Sequence, residues 1–188
     1  MTWNSTLQRK TPLRAKTGFK PSQCFKQKSS SQLHKDDNKK PSKGSRSPQR
    51  AKTERGGLIE RLDTAFSLYI RLRDAMPGGR TRCISCGREF PFEQMQAGHY
   101  HSRRSYSTRW DELNVHSQCS VCNCNQCGNI VGYTPNLIAK IGQERFDALR
   151  IRANQIRKWS DDELKCMIRH YIAEARRLSK EKCITINI

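Results

Sequence analysis

Long apolar runs are missing from this sequence. Only 35% of its 188 residues are hydrophobic, which is below the usual share in globular domains, so part of the chain is not expected to bury a core. No run approaches the length of a membrane span, and the N-terminus lacks the apolar segment of a secretory signal. We therefore predict a cytoplasmic protein that has no membrane partner.

Acidic residues are scarce at the beginning of the chain. The formal net charge is +19, and residues 1–56 hold 15 Lys and Arg against only 3 Asp and Glu. This segment has almost no apolar periodicity and is rich in Ser, Gln and Pro, so we predict a disordered basic tail. Such a tail suits contact with a nucleic-acid backbone without sequence preference. The alternative is a solvated leader with no role beyond solubility.

Because an export signal is missing, the nine cysteines are expected to be metal ligands and free thiols rather than disulfides. Two C-x-x-C pairs stand 32 residues apart, and two such turns can complete a tetrahedral zinc site that has no open position. A closed site of this kind is structural and substitutes for a large core. The four predicted zinc ligands are Cys83, Cys86, Cys119 and Cys122.

A third C-x-x-C pair, Cys124 and Cys127, follows the second one directly. These thiols could compete for the same ion, bind another ion or remain without a metal. Their spacing from Cys122 is too tight for a separate tetrahedral site. We therefore interpret them as unliganded neighbours of the zinc.

Helical patterns flank the cysteine pairs. Apolar residues recur at helical spacing from Gly57, and a second pattern begins at Pro135 and breaks at Gly142. A last helix should begin with a capping box at Ser160–Glu163 and could face DNA or form a dimer. The predicted organisation is a tail at 1–56 and a domain at 57–188, with zinc knuckles at 83–129 and C-terminal helices at 135–180.

The residues that suggest chemistry lie between and just after the first two C-x-x-C pairs, Cys83/Cys86 (the first knuckle) and Cys119/Cys122 (the second knuckle). Gly98-His99 precedes a loop, Asn114-Val115 follows it, and Asn123 stands directly after the second knuckle. This order resembles the HNH endonucleases. Their ββα-metal fold places a histidine on the first strand, an asparagine at the start of the second and a His or Asn at the start of a helix. The resemblance implies an α+β protein whose small zinc-stapled ββα-metal core is flanked by helices.

A wider resemblance runs from about Tyr69 to Leu178. Its clearest stretches are Cys83-Ile-Ser-Cys-Gly87, Ala97-Gly-His-Tyr100, Glu112-Leu-Asn-Val-His116 and Lys140-Ile-Gly-Gln-Glu144. They are similar to the NinG (Rap) recombination proteins of phage lambda. This implies a phage- or prophage-encoded endonuclease in a bacterial host, which cuts branched DNA such as Holliday junctions or D-loops. It also suggests action alongside a recombinase, and symmetric cutting of a four-way junction would suit a homodimer.

The chemical roles can be argued from the residue types. Phosphodiester hydrolysis needs an activated water and a cation on the scissile oxygens. The neutral imidazole of His99 could take the proton from the water, and the amide of Asn114 could hold the opposing loop and orient that ring. Asn123 could supply an oxygen to a catalytic Mg²⁺ or Mn²⁺, separate from the zinc. Its alternative role is that of a plain helix cap.

The aspartate that commonly precedes the first histidine in HNH proteins, as a metal ligand, is missing, because this chain has Gly98 there. His101 would share a strand face with His99 and could bind the ion or a phosphate instead. For His116, orientation, phosphate contact and packing all remain open. The loop residues predicted to contact the DNA backbone are Arg103, Arg104 and Arg109.

Three functions compete at this point. The first is a metal-dependent endonuclease for branched DNA. The second is a non-catalytic zinc-containing nucleic-acid-binding module with a degenerate HNH site, and it is favoured by Gly98 and Asn123. The third, an RNA-binding zinc protein, would need aromatic stacking platforms, which the sequence does not offer.

Overall fold

The computed structural model describes residues 53–186. Their helices and strands are α1 (Glu54–Asp74), β1 (Arg80–Arg82), β2 (Glu89–Pro91), β3 (Met95–His99), β4 (Val115–Cys119), α2 (Ile130–Ile141), α3 (Gln143–Ala153) and α4 (Asp161–Lys182). This mixture of helices and small antiparallel sheets confirms the predicted α+β class. Of the predicted disordered tail, residues 1–52 lie outside the described residues.

Helix α1 begins earlier than the sequence pattern predicted. The side chain of Thr53 accepts a hydrogen bond from the backbone N–H of Gly56 at 3.2 Å, and the helix starts at Glu54 rather than Gly57. A threonine cap and an acidic first turn both suit the partial positive charge of a helix N-terminus. The two glycines are tolerated because tertiary packing overrides helix propensity. The helix ends at Asp74, before the predicted proline–glycine stop.

The main core lies between α1 and α4. Each helix buries one apolar stripe that recurs every three or four residues, as an amphipathic helix does. The rings of Phe66 and Tyr171 meet edge to face with their centroids 4.8 Å apart. The predicted capping box of α4 is confirmed, because Ser160 and Glu163 exchange both side-chain-to-backbone hydrogen bonds. The buried residues of α4 are Leu164, Ile168, Tyr171, Ala175 and Leu178.

Lys182, at the end of α4, binds the end of α1. Its ammonium donates hydrogen bonds to the carbonyl oxygens of Leu72, Arg73 and Ala75 at 2.8, 2.9 and 2.5 Å. The last carbonyls of a helix have no partner within the helix and carry partial negative charge, so a cation stabilises them. This contact fixes the end of α1, from which the chain enters the sheets.

The strands form two antiparallel two-stranded sheets, β1–β2 and β3–β4. In the second sheet, Gly98 lies opposite His116 and His99 lies opposite Val115. Every residue of β4 is buried. Its Val115 joins the core of α1 and α4. On the other side, Tyr133 of α2 donates its hydroxyl hydrogen to the carbonyl oxygen of Gly98 at 3.0 Å.

The helices after the second knuckle differ in one respect from the prediction. Helix α2 starts at Ile130, after the N-cap Asn129, so Pro135 lies inside the helix rather than at its beginning. The predicted break at Gly142 is confirmed, where a φ of 84° separates α2 from α3. Among the described helices, none has the length and apolar character needed to cross a membrane.

Replacing Lys182 by Met should lower the free energy of unfolding by about 2 kcal/mol, because three helix-end carbonyls lose a charged donor. Urea denaturation followed by circular dichroism measures this loss. Lys180→Met, at an exposed position on the same helix, is the matched control and should change stability by less than about 0.5 kcal/mol. Equal losses in the two variants would contradict the assigned role of Lys182.

Candidate functional site

Four cysteine thiols meet at one point. The Sγ atoms of Cys83, Cys86, Cys119 and Cys122 all lie within 4.8 Å of one another, and those of Cys86 and Cys119 are 3.9 Å apart. A tetrahedral zinc with Zn–S bonds of about 2.3 Å places its sulfurs roughly 3.8 Å apart. The cluster therefore has the dimensions of a four-thiolate site, and these cysteines could hold zinc.

Backbone geometry aims these thiols at one another. In the first knuckle, Gly87 has a φ of 72° and donates its N–H to the carbonyl oxygen of Cys83 at 2.9 Å; a left-handed residue in this tight turn is accommodated by glycine. Two other groups donate hydrogen bonds to sulfur atoms. The backbone N–H of Cys119 donates to Sγ of Cys83, and the side-chain amide of Asn129 donates to Sγ of Cys122, both at 3.4 Å. Such donors orient metal-binding thiolates and stabilise their charge.

The third cysteine pair lies outside the cluster. Cys124 and Cys127 are both exposed, and the thiol of Cys124 donates a hydrogen bond to Oε1 of Gln96 at 3.3 Å. Within residues 53–186, the four clustered cysteines are the only group of three or more His, Cys, Asp or Glu side chains close enough to share an ion. These positions agree with the interpretation of Cys124 and Cys127 as neighbours of the metal site.

His99 ends β3 as a partly exposed residue whose ring is fixed by backbone carbonyls. Its Nε2 lies 2.9 Å from the carbonyl oxygen of Arg109, and its Nδ1 lies 3.3 Å from that of Ala97. Carbonyl oxygens only accept hydrogen bonds, so the shorter contact places the proton on Nε2 and leaves Nδ1 as the basic nitrogen. Burial, only partly opposed by these carbonyls, lowers the pKa of His99 to about 4. The ring is therefore neutral at pH 7.

Asn114 is fully buried and closes the loop between β3 and β4. Its Oδ1 accepts the backbone N–H of His101 at 2.7 Å, and its Nδ2 donates to the carbonyl oxygens of His101 and Thr108 at 3.1 and 2.9 Å. Asn114 thus fixes both ends of the loop that supplies the carbonyl facing His99. It acts on His99 through the backbone rather than by a direct contact.

His101 does not share a strand face with His99, because β3 ends at His99. Its ring packs edge to face against Tyr100, with 5.0 Å between the centroids. Burial and the nearby positive charge of Arg150 lower the pKa of His101 below its ordinary value. Its Nε2 is buried and makes no hydrogen bond within the described residues.

Gly98 is required by close packing. A Cβ atom at this position would lie 2.2 Å from Oε1 and 2.8 Å from Cβ of Gln118. Gln118 is held there by two hydrogen bonds of 2.6 Å from its Nε2, to Oγ of Ser85 and to the carbonyl oxygen of Gly128. The space that an aspartate side chain would need is therefore filled by Gln118.

Asn123, a predicted ligand of the catalytic ion, makes a hydrogen bond to another side chain. Asn123 lies in a single π-helical turn, Val121–Asn125, and its Nδ2 donates to Oε1 of Gln96 at 2.6 Å. Hard divalent ions are bound through carboxylate and carbonyl oxygens, and the only close group of three or more His, Cys, Asp or Glu side chains among the described residues is the four-cysteine cluster. The four cysteines could therefore hold zinc, and the described residues show no comparable cluster of carboxylates for Mg²⁺ or Mn²⁺.

The three predicted DNA-binding arginines differ in their surroundings. Arg103 and Arg104 are exposed in the loop between β3 and β4. Arg109 instead binds Asp63 of α1 through two hydrogen bonds of 3.0 and 2.5 Å, and its guanidinium lies over the ring of Trp110. Arg109 is thus used within the fold, which leaves Arg103 and Arg104 as the loop cations available to a phosphate backbone.

A polar cluster around Asp74 was not anticipated from the sequence. Asp74 accepts hydrogen bonds from the backbone N–H of Ser117 at 2.8 Å, from Arg73 at 3.0 Å and from Lys140 at 2.9 Å. Burial opposes ionisation of Asp74, but its contact with His116 at 3.7 Å, its hydrogen bond with Arg73 and the charges of Arg73 and Lys140 hold its pKa well below the ordinary value. The same two cations donate to Nδ1 of His116 at 2.8 and 3.1 Å.

This contact decides the tautomer of His116. Arginine and lysine can only donate, so Nδ1 of His116 accepts and its proton lies on Nε2. That Nε2 is buried and has no hydrogen-bond partner within the described part of the chain. A protonated Nε2 is not available to a metal ion. His116, which lies opposite Gly98, therefore does not replace the aspartate that is missing at position 98. The amphipathic helix patterns gave no signal for this cluster, because its members come from three separate elements.

Comparison with known sequences identifies the family. A family profile described as "Bacteriophage Lambda NinG protein" matches residues 4–181. The chain belongs to the NinG family. Protein ninG of Escherichia phage lambda is 37% identical over 115 residues, which are 60% of this chain and 53% of that protein. Protein ninG of Salmonella phage P22 is 35% identical over 115 residues, again 60% and 53%.

Protein ninG of Enterobacteria phage H19B is 38% identical over 111 residues, 58% of this chain and 52% of the relative. The chain thus spans about half the length of the curated NinG relatives it matches. No solved structure matches the chain. The phage origin inferred from the resemblance is supported by these matches, and the NinG family assignment is confirmed.

In this NinG family member, Gly98→Ala should lower the free energy of unfolding by roughly 1–3 kcal/mol, because the added methyl group overpacks against Gln118. Gly57→Ala is the matched control, since its Cβ would meet nothing within 4 Å and the change should stabilise α1 by about 0.5–1 kcal/mol. Chemical denaturation of both variants measures the difference. A neutral Gly98→Ala would show that Gln118 moves aside at little cost.

The thiol cluster predicts one zinc per NinG chain. Metal analysis of purified protein should give one equivalent, which Cys86→Ser should abolish or greatly weaken because a tetrahedral site loses a ligand. Cys124→Ser and Cys127→Ser should each retain the full equivalent, and Cys166→Ser, at an exposed position on α4, controls for thiol loss in general. Loss of zinc in Cys124→Ser or Cys127→Ser would assign the third pair to the metal.

Proposed function

We propose that this NinG family member is a metal-dependent, structure-selective DNA endonuclease that hydrolyses phosphodiesters in branched recombination intermediates such as Holliday junctions or D-loops. The observation that carries the proposal is the neutral ring of His99, held against the carbonyl of Arg109 at the end of β3 and beside an exposed basic loop. The β3–β4 hairpin, the thiol cluster and the following helix α2 support an HNH-like core. The branched substrate rests on the resemblance alone.

In the proposed reaction, Nδ1 of His99 takes a proton from the water that attacks phosphorus. Its proton-bearing Nε2 stays bonded to the carbonyl of Arg109, so the ring keeps one orientation through the step. Asn114 is a positioning residue in this scheme, because it fixes the loop through backbone atoms. The chain supplies no carboxylate cluster for the divalent ion among the described residues, so its own proposed contributions are proton transfer and substrate positioning.

Substrate binding is proposed to use charge rather than base-specific contacts. The chain carries a net charge of +19, and Arg103 and Arg104 lie exposed beside the loop of His99. Such cations contact phosphates and make binding strongly dependent on salt. A homodimer and a recombinase partner remain expectations from the resemblance.

A second candidate function is a non-catalytic zinc-containing nucleic-acid-binding module. The packing of Gln118 against Gly98 favours it, because the position of a metal-binding aspartate is filled. In that case the hairpin and the thiol cluster would only present the basic surface. The two candidates differ in one measurable property, the cleavage of DNA.

Purified, zinc-loaded protein should be incubated with Mg²⁺ or Mn²⁺ and with matched four-way, flap and linear DNAs. We expect cleavage of at least one branched substrate, and a loss of about 10²-fold or more in His99→Ala. His170→Ala, at an exposed position on α4, is the matched control and should retain full activity. Circular dichroism should establish that His99→Ala is folded.

The pH dependence tests the role of His99 separately. A general base acts when it is deprotonated, and burial lowers the pKa of His99 to about 4. The rate should therefore fall as pH decreases towards 4 and should show no limb near 6.5, the ordinary value for histidine. Cleavage of none of the DNAs by folded protein would favour the binding module. Unchanged cleavage by His99→Ala would remove His99 from the mechanism.

A further inference from the structure

A polar cavity of about 370 Å³ lies at the edge of β4 that does not pair with β3. Its walls come from the end of α1, the first knuckle and α2, and they include Asp74, Arg82, Ser117, Asn136 and Lys140. The volume is at the lower end of the range for small-molecule sites. The cavity is separate from His99, which lies on the neighbouring strand.

One residue of the lining carries a buried hydroxyl group without a hydrogen-bond partner. Ser117 is 1% exposed and lines the cavity, yet its Oγ makes no hydrogen bond within residues 53–186. Buried hydroxyl groups are normally hydrogen-bonded, because an unpaired one costs free energy. Ser117 thus brings to the cavity wall a donor whose hydrogen bond a bound ligand could complete.

Two cations line the same space with donors to spare. The ammonium group of Lys140 donates hydrogen bonds to Asp74 and His116. Its third N–H remains for a ligand. Arg82 donates from Nη2 to Glu89 and is otherwise exposed, with a side chain that is 70% accessible. Lysine, arginine and serine donors around one cavity form the usual surroundings of a phosphate oxygen.

The lining offers no free carboxylate to a divalent cation. Asp74 is the only carboxylate among the lining residues, and its oxygens already accept from Ser117, Arg73 and Lys140. A divalent cation would have to approach Lys140 and Arg82 without a free carboxylate, so it is disfavoured. Lys140 and Arg82 are paired with Asp74 and Glu89, and Cys83 of the thiol cluster also lines the cavity. The attraction for an anion therefore comes from the remaining N–H donors rather than from net charge.

We propose that the cavity bounded by Ser117, Lys140 and Arg82 binds a phosphate group. In the proposed nuclease, this group is a backbone phosphate of the DNA, held at a second contact away from His99. The assignment to DNA rests on the proposed function, whereas the binding of a phosphate does not. The cavity would fix the position of the DNA through the backbone, without reading its sequence.

Inorganic phosphate is the first probe. In full-length, zinc-loaded protein, phosphate should shift the amide resonances of Ser117 and its neighbours, and Ser117→Ala should weaken that binding about ten-fold, since a hydrogen bond to a charged group is lost. The unpaired hydroxyl is removed without breaking any contact of the fold, so this variant should remain folded. Lys140→Gln should weaken phosphate binding further, and Lys180→Gln is the matched control.

DNA binding as a function of salt is the second measurement. If the ligand is a backbone phosphate, Lys140→Gln should reduce the slope of log K against log salt by about one unit, and Lys180→Gln should reduce it less. Phosphate binding that depends on Ser117, with an unchanged DNA slope, would assign the cavity to a small phosphate-containing ligand. An absence of phosphate binding together with an unchanged slope would overturn the proposal.

The two proposals fail in different ways. If the protein binds phosphate in the cavity but cuts no DNA, the proposed phosphate site stands and the proposed nuclease activity is wrong. If it cuts branched DNA with equal salt dependence in wild type and Lys140→Gln, and binds no phosphate, the proposed nuclease activity stands and the proposed phosphate site is wrong.

Discussion

The four-cysteine cluster is the constraint on which the sheets depend. Each sheet has only two strands, and an isolated two-stranded hairpin is marginal in water. The first knuckle follows β1 and the second follows β4, so a metal on Cys83, Cys86, Cys119 and Cys122 would join both sheets through one point. The apolar surface around the thiols is small and includes Met95 and Phe90. A bound metal would therefore supply much of the stability that a larger apolar core provides in other small domains.

Asp74 provides the second connection, between the helical core and β4. Helix α1 packs on α4 through an apolar stripe, which alone would allow α1 to slide or turn slightly along the sheet. The hydrogen bond from the backbone of Ser117 to Asp74, together with Lys140 of α2, removes that freedom. The carbonyls at the same helix end are held by Lys182. One end of α1 is thus positioned by polar contacts from β4, α2 and α4. The loop that follows His99 contacts the same helix through Arg109 and Asp63.

The sequence predicted well those features that depend on local chemistry. The C-x-x-C spacing predicted that four cysteines lie close together, as they do, helical periodicity identified α1 and α4, and the capping box at Ser160–Glu163 formed as expected. It predicted less well those features that depend on where separate elements meet. Arg109 looked like a loop cation, but Asp63 lies 46 residues away in the chain and binds it. The cluster of Asp74, His116 and Lys140 could not be foreseen, because no local pattern links the end of α1 to the middle of β4 and α2.

Gly98 illustrates how the same residue changes meaning once its neighbours are known. In the sequence it marks a missing metal ligand, and the natural question is which side chain replaces the aspartate. In the structure the space beneath Gly98 is occupied by Gln118, and the residue opposite, His116, has its Nδ1 saturated by Arg73 and Lys140. His116 cannot act as a substitute ligand without losing these contacts, and Gln118 offers only a buried amide oxygen, Oε1, which has no hydrogen-bond partner within the described residues. A divalent ion that assists hydrolysis here would have to be held mainly by phosphate oxygens and water, as Mg²⁺ sites with few protein ligands are. In the proposed nuclease, the occupancy of this ion would then depend on bound DNA, and the basic surfaces proposed to position the DNA would contribute to metal binding as well as to affinity.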